Sequence, residues 1–253
     1  KSYHSTETAL TRVQNDVLQA VDRKGGAILI LLDMSAAFDT IDHDLLIGLL
    51  ETRMGVSGTA LMWFRSYLSG RRQRVSVSSE ASEDPLLKYG VPQGSVLGPI
   101  LFTTYTQPLH DVLADIDFMG YADDNQLYLA FEPRSLCSTE NAITTLENSL
   151  SHIKAWMSQH FLKLNVSKTE LLAITAPSMT RHLKPISLQM GDSTINPSKE
   201  VRNFVVTWDS TMRLQQHIIN LCRSAYHQLH NIYRIRKYLT DNATKSLVHA
   251  FVT

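Results

Sequence analysis

The sequence predicts an α+β fold, and three observations support that prediction. An unbroken apolar run, Ala27–Leu32, follows a Gly-Gly pair and is typical of a strand that is buried on both faces. Apolar residues around Tyr121–Asp124, followed by two-residue alternation as far as Phe131, predict two strands joined by a tight turn. Apolar spacings of three and four residues over Thr6–Val21 and Thr139–Phe161 predict amphipathic helices.

The first half of the chain alternates between helices and strands. The first helix should end near Gly25, because a Gly-Gly pair interrupts helical structure. Asp33 follows the buried strand directly, and Asp42 is a suitable N-cap for a helix that continues to Leu50. A further helix is predicted over Ser57–Ser69, with Gly70 as its stop.

Short strands and proline-bounded turns are predicted between the remaining helices. Arg71–Val77 indicates a basic strand, and its simplest interpretation is a solvated edge strand kept soluble by charge. Leu86–Gly90 is predicted to be a short strand, and Pro99 suits the first turn of a helix. Two more helices are predicted over 211–253, with Thr240 capping the second.

Composition describes an ordinary globular protein, with 43% hydrophobic residues and a formal net charge of zero. The charge is uneven, because residues 211–253 contain six Lys or Arg and one Asp. Two cysteines, Cys137 and Cys222, argue against a disulfide framework and a zinc site. The longest apolar run is too short to span a membrane. The chain begins with Lys and stops within an apolar helical pattern, so we interpret it as a fragment.

Three carboxylates could meet at one end of the predicted sheet. Asp33 ends the buried strand, while Asp123 and Asp124 occupy the hairpin turn about 90 residues later. If those strands are neighbours, the side chains converge in a way that suits hard divalent cations and nucleotidyl transfer. Taken alone, the acidic turn has a simpler interpretation, which is a turn facing solvent.

Five blocks in order strengthen the catalytic interpretation, namely Leu31–His43, Gly90–Phe102, Tyr121–Asp124, Leu164–Glu170 and Val201–Ser210. Over nearly its whole length the sequence resembles the reverse transcriptase domain of a non-LTR (LINE-type) retrotransposon. The resemblance implies a right-hand polymerase with an antiparallel palm sheet backed by helices. It also implies a fingers remnant at 1–26, a palm with inserted fingers elements at 27–210, and the start of a thumb at 211–253.

The same resemblance implies roles for individual residues. Asp33, Asp123 and the backbone carbonyl of Met34 would hold two Mg²⁺ ions, or Mn²⁺ instead, with Asp124 completing the acidic turn. Phe38 matches the position that crowds the sugar 2′ carbon and selects deoxynucleotides, although it could simply be a core residue. The remaining site residues are predicted to contact the incoming nucleotide (Gln93, Gly94), the pyrophosphate (Lys168) or the template backbone (Arg71, Arg72, Arg74). For Lys168 the alternative is a solvated surface lysine.

The implied partners are an RNA template, a DNA primer and deoxynucleoside triphosphates, with no membrane. The endonuclease and the rest of the thumb would belong to a longer polyprotein. The implied site of action is intracellular and nuclear, although no targeting signal is present. One departure is that Phe204-Val205 replaces the Leu-Gly usual in the family, and a turn requiring positive φ would strain Val205. A rival hypothesis is therefore a truncated or decayed copy that keeps the fold and nucleic-acid binding without catalysis. An RNA-templated RNA polymerase would share the metal chemistry but fits Phe38 poorly.

Overall fold

The computed structural model describes residues 5–78, 80–113 and 116–252. The first four residues of the predicted fingers remnant and the last residue of the predicted thumb lie outside these ranges. The helices are α1 (Thr6–Lys24), α2 (His43–Thr52), α3 (Gly58–Leu68), α4 (Gly98–Thr106), α5 (Leu109–Val112), α6 (Leu136–Gln159), α7 (Gln215–Ile235) and α8 (Asp241–Phe251), with 3₁₀ turns at Val166–Lys168, Thr180–His182 and Arg236–Tyr238. The strands are β1 (Gly26–Leu32), β2 (Met34–Ser35), β3 (Ser76–Val77), β4 (Glu80–Ala81), β5 (Asp117–Tyr121), β6 (Asp124–Phe131), β7 (Lys163–Leu164), β8 (Glu170–Thr175), β9 (Leu188–Met190), β10 (Ser193–Ile195), β11 (Glu200–Asn203) and β12 (Val206–Asp209).

The main sheet has the order β5-β6-β1-β8, and all of its pairings are antiparallel. Strand β1 is central, so its backbone groups pair with β6 on one side and β8 on the other. Together with the helices around it, this sheet confirms the predicted α+β fold class.

Both faces of β1 are covered, as its continuous apolar sequence predicted. Ile28, Ile30 and Leu32 belong to the main core cluster together with residues of α2, α4 and α6. Leu29 points to the opposite face because side chains alternate along a strand, and it too is fully buried. Helix α1 contacts β1 and β6, and its Val13 is fully buried. Asp33, which follows β1 directly, is therefore attached to a strand that is packed on both faces.

Several predicted helix boundaries are confirmed. Gly25 ends α1 with φ 88°, a conformation that glycine adopts without steric cost. Asp42 caps α2 by accepting a 2.9 Å hydrogen bond from the Leu45 N–H. Thr240 caps α8 in the same way, through the Ala243 N–H. The predicted basic strand Arg71–Val77 is largely wrong, because only Ser76–Val77 pairs as a strand, within an exposed two-residue hairpin ladder.

The described residues divide into two compact units, with the division between Ser198 and Lys199. The second unit consists of the β11–β12 hairpin followed by α7 and α8. Trp208 is fully buried within it, whereas Ile232 is the only buried residue of α7. The assignment of fingers, palm and thumb to particular ranges stays a prediction. Among the described residues, no helix is both long and apolar enough to cross a membrane.

Candidate active site

The sheet register brings the predicted carboxylates to one end of β1. Leu32 pairs with Asn125 on β6 in the last pair of the β1–β6 ladder, so Asp33 and Asp124 are the residues that come next at this end. Asp123 immediately precedes Asp124 in the two-residue connection between β5 and β6, which pair as far as Tyr121 and Asp124. The carboxylates of Asp33 and Asp123 both lie close enough to Asp124 for their charges to act on its carboxyl group.

The turn that carries Asp123 has an unusual backbone. Ala122 adopts φ 55°, in the left-handed region that costs a non-glycine residue about 1–2 kcal/mol. The residue of the turn with positive φ is thus Ala122, next to Asp123. Asn125 is buried behind the turn, and its side-chain amide donates a 3.0 Å hydrogen bond to the Asp123 carbonyl. Asn125 therefore fixes the orientation of the Asp123 peptide.

Negative charge accumulates at this end of the sheet. The pKa of the Asp124 carboxyl is raised, first by partial loss of hydration and then by the charges of Asp123 and Asp33. The Lys168 Nζ lies 3.9 Å from the Asp33 Oδ2, although both side chains are substantially exposed. Lys168 thus belongs to the same cluster as the carboxylates. An ion pair this exposed contributes little to stability.

The donor set at this end is oxygen, as hard divalent cations require. Within the described ranges, however, no three His, Cys, Asp or Glu side chains are grouped closely enough to hold a metal ion by themselves. A cation at this end would have to complete its shell with backbone, water or substrate oxygens. Mg²⁺ commonly binds in that way, through one or two carboxylates and substrate phosphates.

The Met34 carbonyl is one such backbone oxygen. The Asn165 N–H donates a 2.8 Å hydrogen bond to the Asp33 carbonyl, and Met34 pairs with Leu164 on β7. In an antiparallel ladder bonded and non-bonded positions alternate, so Met34 occupies a non-bonded position and its carbonyl points away from β7. The Met34 carbonyl, which is a predicted metal ligand, therefore makes no hydrogen bond within the β2–β7 pair.

Phe38 lies in a loop that a second segment clamps from outside. Its ring stacks on Phe102 with centroids 4.6 Å apart, and its carbonyl accepts a 2.8 Å hydrogen bond from the Val91 N–H. Gly90 makes this approach possible, because a Cβ there would lie 2.9 Å from the Asp39 carbonyl oxygen. The ring is half-buried, so the structure fixes its position and leaves part of it accessible.

Gln93 and Gly94 continue the same segment and are both exposed. Gly94 has φ 79°, and a Cβ there would meet no other atom, so the conformation rather than space favours glycine. Ser95 closes the turn by donating to the Pro92 carbonyl and accepting from the Gly98 N–H. Hydrogen bonds therefore connect the loop at Phe38 to the one at Gln93.

The three arginines predicted to contact template lie along the exposed β3–β4 hairpin arm. Arg71 lies over the Tyr67 ring, with 5.6 Å between its Cζ and the ring centroid. Arg72 donates a 2.9 Å hydrogen bond to the Asp84 carbonyl, with the Asp84 carboxylate at 3.9 Å. Arg74 is exposed. Part of the positive charge of this arm is thus already balanced within it.

Sequence reasoning missed three residues that organise the site, namely Asn125, Gly90 and Tyr105. The Tyr105 hydroxyl donates to the His160 carbonyl at 2.7 Å and accepts from the Asp42 N–H at 3.4 Å. Burial raises the pKa of Tyr105 to about 12, so the hydroxyl keeps its proton. Only Gly90 had a detectable signal, as a glycine next to the Val91–Gly94 loop.

In the second unit, the turn between β11 and β12 corrects one prediction. The left-handed residue is Phe204, with φ 52°, and Val205 does not share that conformation. Val205 is 67% exposed. The expected strain therefore falls on the preceding residue, and Val205 itself needs no glycine.

Comparison with known sequences assigns the chain to one family. Residues 2–220 match the family described as "Reverse transcriptase (RNA-dependent DNA polymerase)". The probable RNA-directed DNA polymerase from transposon BS of Drosophila melanogaster is 30% identical over 251 residues, covering 96% of this chain and 26% of that protein. The RNA-directed DNA polymerase from mobile element jockey of Drosophila funebris is 27% identical over 229 residues, covering 87% and 24%. The chain thus spans about a quarter of these relatives.

Comparison with solved structures finds the same fold in telomerases. Telomerase from Candida tropicalis in complex with a TWJ fragment of telomeric RNA has a TM-score of 0.55 at 12% identity, covering 98% of this chain and 41% of that one. The apo enzyme from the same organism, truncated from the C-terminal domain, has a TM-score of 0.54 at 13% identity, covering 84% and 39%. At such identities the likeness concerns the fold alone.

Proposed function

The chain belongs to the reverse transcriptase family, and from that premise we propose that it is the polymerase region of a longer retroelement protein. Its Drosophila relatives agree with the resemblance to non-LTR retrotransposons drawn from the motifs. In the proposed reaction the 3′ hydroxyl of a DNA primer on an RNA template attacks the α-phosphorus of a deoxynucleoside triphosphate, and pyrophosphate leaves. The single observation that carries the proposal is the convergence of Asp33, Asp123 and Asp124 where the β1–β6 pairing ends.

The proposed ligands of two Mg²⁺ ions are Asp33, Asp123 and the Met34 carbonyl, with Asp124 beside them. Bound divalent ions would activate the primer hydroxyl and neutralise charge on the leaving pyrophosphate. The raised pKa of Asp124 is compatible with this assignment, because its causes after partial loss of hydration are the neighbouring charges of Asp123 and Asp33. Lys168, whose Nζ is 3.9 Å from Asp33, would hold a proton on the side from which pyrophosphate leaves.

The nucleotide would be bound between two loops. Phe38 would crowd its 2′ carbon, because stacking on Phe102 keeps the ring in place. Gln93 and Gly94 would contact the nucleotide from the adjoining turn, where an exposed backbone permits close approach. Arg71, Arg72 and Arg74 would contact template phosphates, through charge rather than base identity.

A second candidate is a copy that keeps the fold and binds nucleic acid without catalysis. The observation in its favour is that no three acidic side chains form a closed metal-binding group in the described residues. The argument from Val205 no longer supports it, because Val205 does not adopt the strained conformation.

Primer extension on an RNA template separates the two candidates. The 253-residue chain should incorporate deoxynucleotides with Mg²⁺ or Mn²⁺, and Asp123→Asn should reduce the rate at least about a hundredfold, since metal charge stabilisation contributes several kcal/mol. Asp117→Asn is the matched control, because Asp117 is exposed at the opposite end of the same hairpin. No incorporation above background, with primer–template binding intact, would overturn the polymerase proposal in favour of the second candidate.

A further inference from the structure

Helix α3 carries an exposed aromatic stack that the proposed catalytic site does not use. Trp63 and Tyr67 lie one helical turn apart, with ring centroids separated by 5.4 Å and planes inclined by 13°. Arg71 follows the end of α3 at Leu68, and its Cζ lies over the Tyr67 ring, 5.6 Å from the centroid. The edge of Phe64 supports Trp63 from the core side, at 5.2 Å and 82°. We call Trp63, Tyr67 and Arg71 the α3 ladder.

The open end of the α3 ladder is Trp63. It is 53% exposed, whereas Tyr67 is half-buried and packs against the main core. A large aromatic ring in water is costly unless something covers it, because its apolar surface contributes about 25 cal/mol per Å² when buried. Stacking within the ladder holds the ring in one orientation, so a planar group can bind against it with little loss of side-chain entropy.

The charge around the ladder favours a polyanion. Gly58–Ser78 contains four arginines and no Asp or Glu, and of these arginines Arg72 is paired with Asp84 on the returning segment, which also carries Glu80 and Glu83. Arg65 is exposed on α3, and Arg74 is exposed in the segment between α3 and β3. Aromatic platforms bordered by arginines are the arrangement that binds unpaired nucleobases while their phosphates meet positive charge. A protein partner would gain nothing from four arginines unless it were itself acidic.

The ladder is connected to the nucleotide-binding loops through the chain that follows it. The hairpin arm returns from Arg71 to Leu87, whose N–H donates to the Arg71 carbonyl at 2.8 Å. The arm then reaches Gly90, which donates to the Ile41 carbonyl, and Val91, which donates to the Phe38 carbonyl. The α3 ladder and the loop at Gln93 are therefore joined by one hydrogen-bonded segment of the first unit.

We propose that the α3 ladder is a stacking platform for unpaired bases of a single-stranded nucleic acid, with Trp63 making the stacking contact. Identifying that strand as the template ahead of the polymerase site rests on the proposed function, whereas single-strand binding itself does not. The shared chemistry is a planar base on a phosphate backbone, so both RNA and single-stranded DNA are candidates.

Intrinsic fluorescence offers a direct test, because the chain has three tryptophans and the other two, Trp156 and Trp208, are buried. Titration of the 253-residue chain with a short unstructured oligouridylate should quench Trp63 emission. Titration with an oligodeoxythymidylate of the same length shows whether the site prefers RNA or single-stranded DNA. A duplex of that length should quench much less, because its bases are already stacked. Unchanged emission on saturation with both single strands would overturn the proposal.

Affinity measurements on variants test the stacking contact. Trp63→Ala should weaken single-strand binding about 5- to 150-fold, and Trp63→Phe should restore most of the loss. Met62→Ala is the matched control, since Met62 is 63% exposed on the same helix but outside the stack. Equal affinities of Trp63→Ala and Met62→Ala for the single strand would overturn the proposal. The exposed Trp63 would then be better explained as part of a protein-binding surface.

Salt dependence separates stacking from charge, and an active-site variant separates this inference from the proposed function. The factor by which Trp63→Ala weakens binding should be the same at low and physiological salt. Arg74→Ala, by contrast, should reduce the salt dependence of binding. Asp123→Asn should abolish primer extension and leave oligonucleotide binding unchanged. Failure of primer extension in the unmodified chain would therefore count against the proposed function alone. A weakening of binding by Trp63→Ala that disappears at higher salt would count against the α3 ladder alone.

Discussion

Asp209 offers a sharp test of how the second unit is held together. Its Oδ1 accepts hydrogen bonds from the Thr211 N–H at 2.9 Å, the Thr211 hydroxyl at 2.7 Å and the Arg213 N–H at 3.3 Å. Its Oδ2 accepts from the Leu214 N–H at 2.7 Å. These bonds stabilise a loop in which Met212 and Leu214 are both left-handed, with φ 54° and 56°. One carboxylate thus fixes the connection from β12 to α7.

The magnitude follows from what Asp209→Ala would leave behind. Three backbone N–H groups lose a charged acceptor, and replacing an acidic cap by alanine costs about 0.5–2 kcal/mol even when water substitutes. Two left-handed residues, each unfavourable by about 1–2 kcal/mol, lose the bonds that hold them. We expect Asp209→Ala to lower the free energy of unfolding of this unit by about 2–4 kcal/mol. Asp209→Asn should cost less, since one oxygen acceptor remains.

The pH dependence has a definite sign. Desolvation alone would raise the pKa of Asp209, but the hydrogen bonds from Thr211, Arg213 and Leu214 together hold it below its ordinary value. Stability from a depressed carboxyl pKa is complete above the unfolded-state value of about 3.9 and is lost as pH falls through the folded value. The difference between wild type and Asp209→Ala should therefore be full at about pH 7 and shrink below about pH 4.

Urea unfolding, read by hydrogen exchange in peptides from residues 199–252, measures this difference in the relevant unit. Asp192→Ala is the control, because Asp192 is an exposed turn residue and its loss should stay within about 0.5 kcal/mol. A stability for Asp209→Ala within about 0.5 kcal/mol of wild type at about pH 7, or a difference that does not shrink in acid, would refute the reasoning.

Three further predictions concern the loops around the site and the β11–β12 hairpin of the second unit. Phe38→Val should reduce discrimination against ribonucleotides about 5- to 150-fold, because a ring–hydroxyl overlap costs about 1–3 kcal/mol, while Phe38→Tyr should retain it. Equal incorporation ratios for Val and Tyr would make Phe38 only a core residue. Gly90→Ala should destabilise by about 2–4 kcal/mol and Gly94→Ala by about 1–3, since both have positive φ but only Gly90 lacks room for a Cβ. Equal urea midpoints for these two variants would contradict the close approach to Asp39. Val205→Gly should leave primer extension within about twofold, because the left-handed residue is Phe204, and a clear gain would restore the strain argument.

The parts of the fold that could be predicted from sequence depend on local signals. The six-residue apolar run of β1 and the Asp42 cap each identify an element within a few residues, so both predictions are confirmed. The hairpin at Ala122–Asp123 was predicted for the same reason, without an indication that Ala122 would be its left-handed residue. A short acidic turn indicates where the chain reverses but not which residue takes the positive φ.

What could not be predicted depends on contacts between distant segments. The basic run Arg71–Val77 has strand-like composition, yet most of it has no partner strand. Its return segment forms an isolated bridge from Leu86 to Arg72, and Tyr89 bridges to Asp42 instead. Lys168 reaches Asp33 only because β7 pairs with β2, and nothing near Lys168 in sequence announces that pairing. Position 90 requires glycine because a Cβ there would collide with the backbone of Asp39, about 50 residues earlier. Local pattern located the catalytic candidates, and long-range packing decided what surrounds them.

The central position of β1 has a consequence for how the chain folds as it is made. Strand β1 ends at Leu32, and its first partner, β6, begins at Asp124, about 90 residues later. At roughly 5–20 residues per second, β1 leaves the ribosome several seconds before β6 exists, and β8 follows later still. Throughout that interval an apolar strand has no native neighbour on either edge and is exposed to mispairing. The end of the sheet that carries Asp33 is thus completed late in synthesis, so soluble yield should depend more on chaperone protection of residues 26–32 than on any residue of the site.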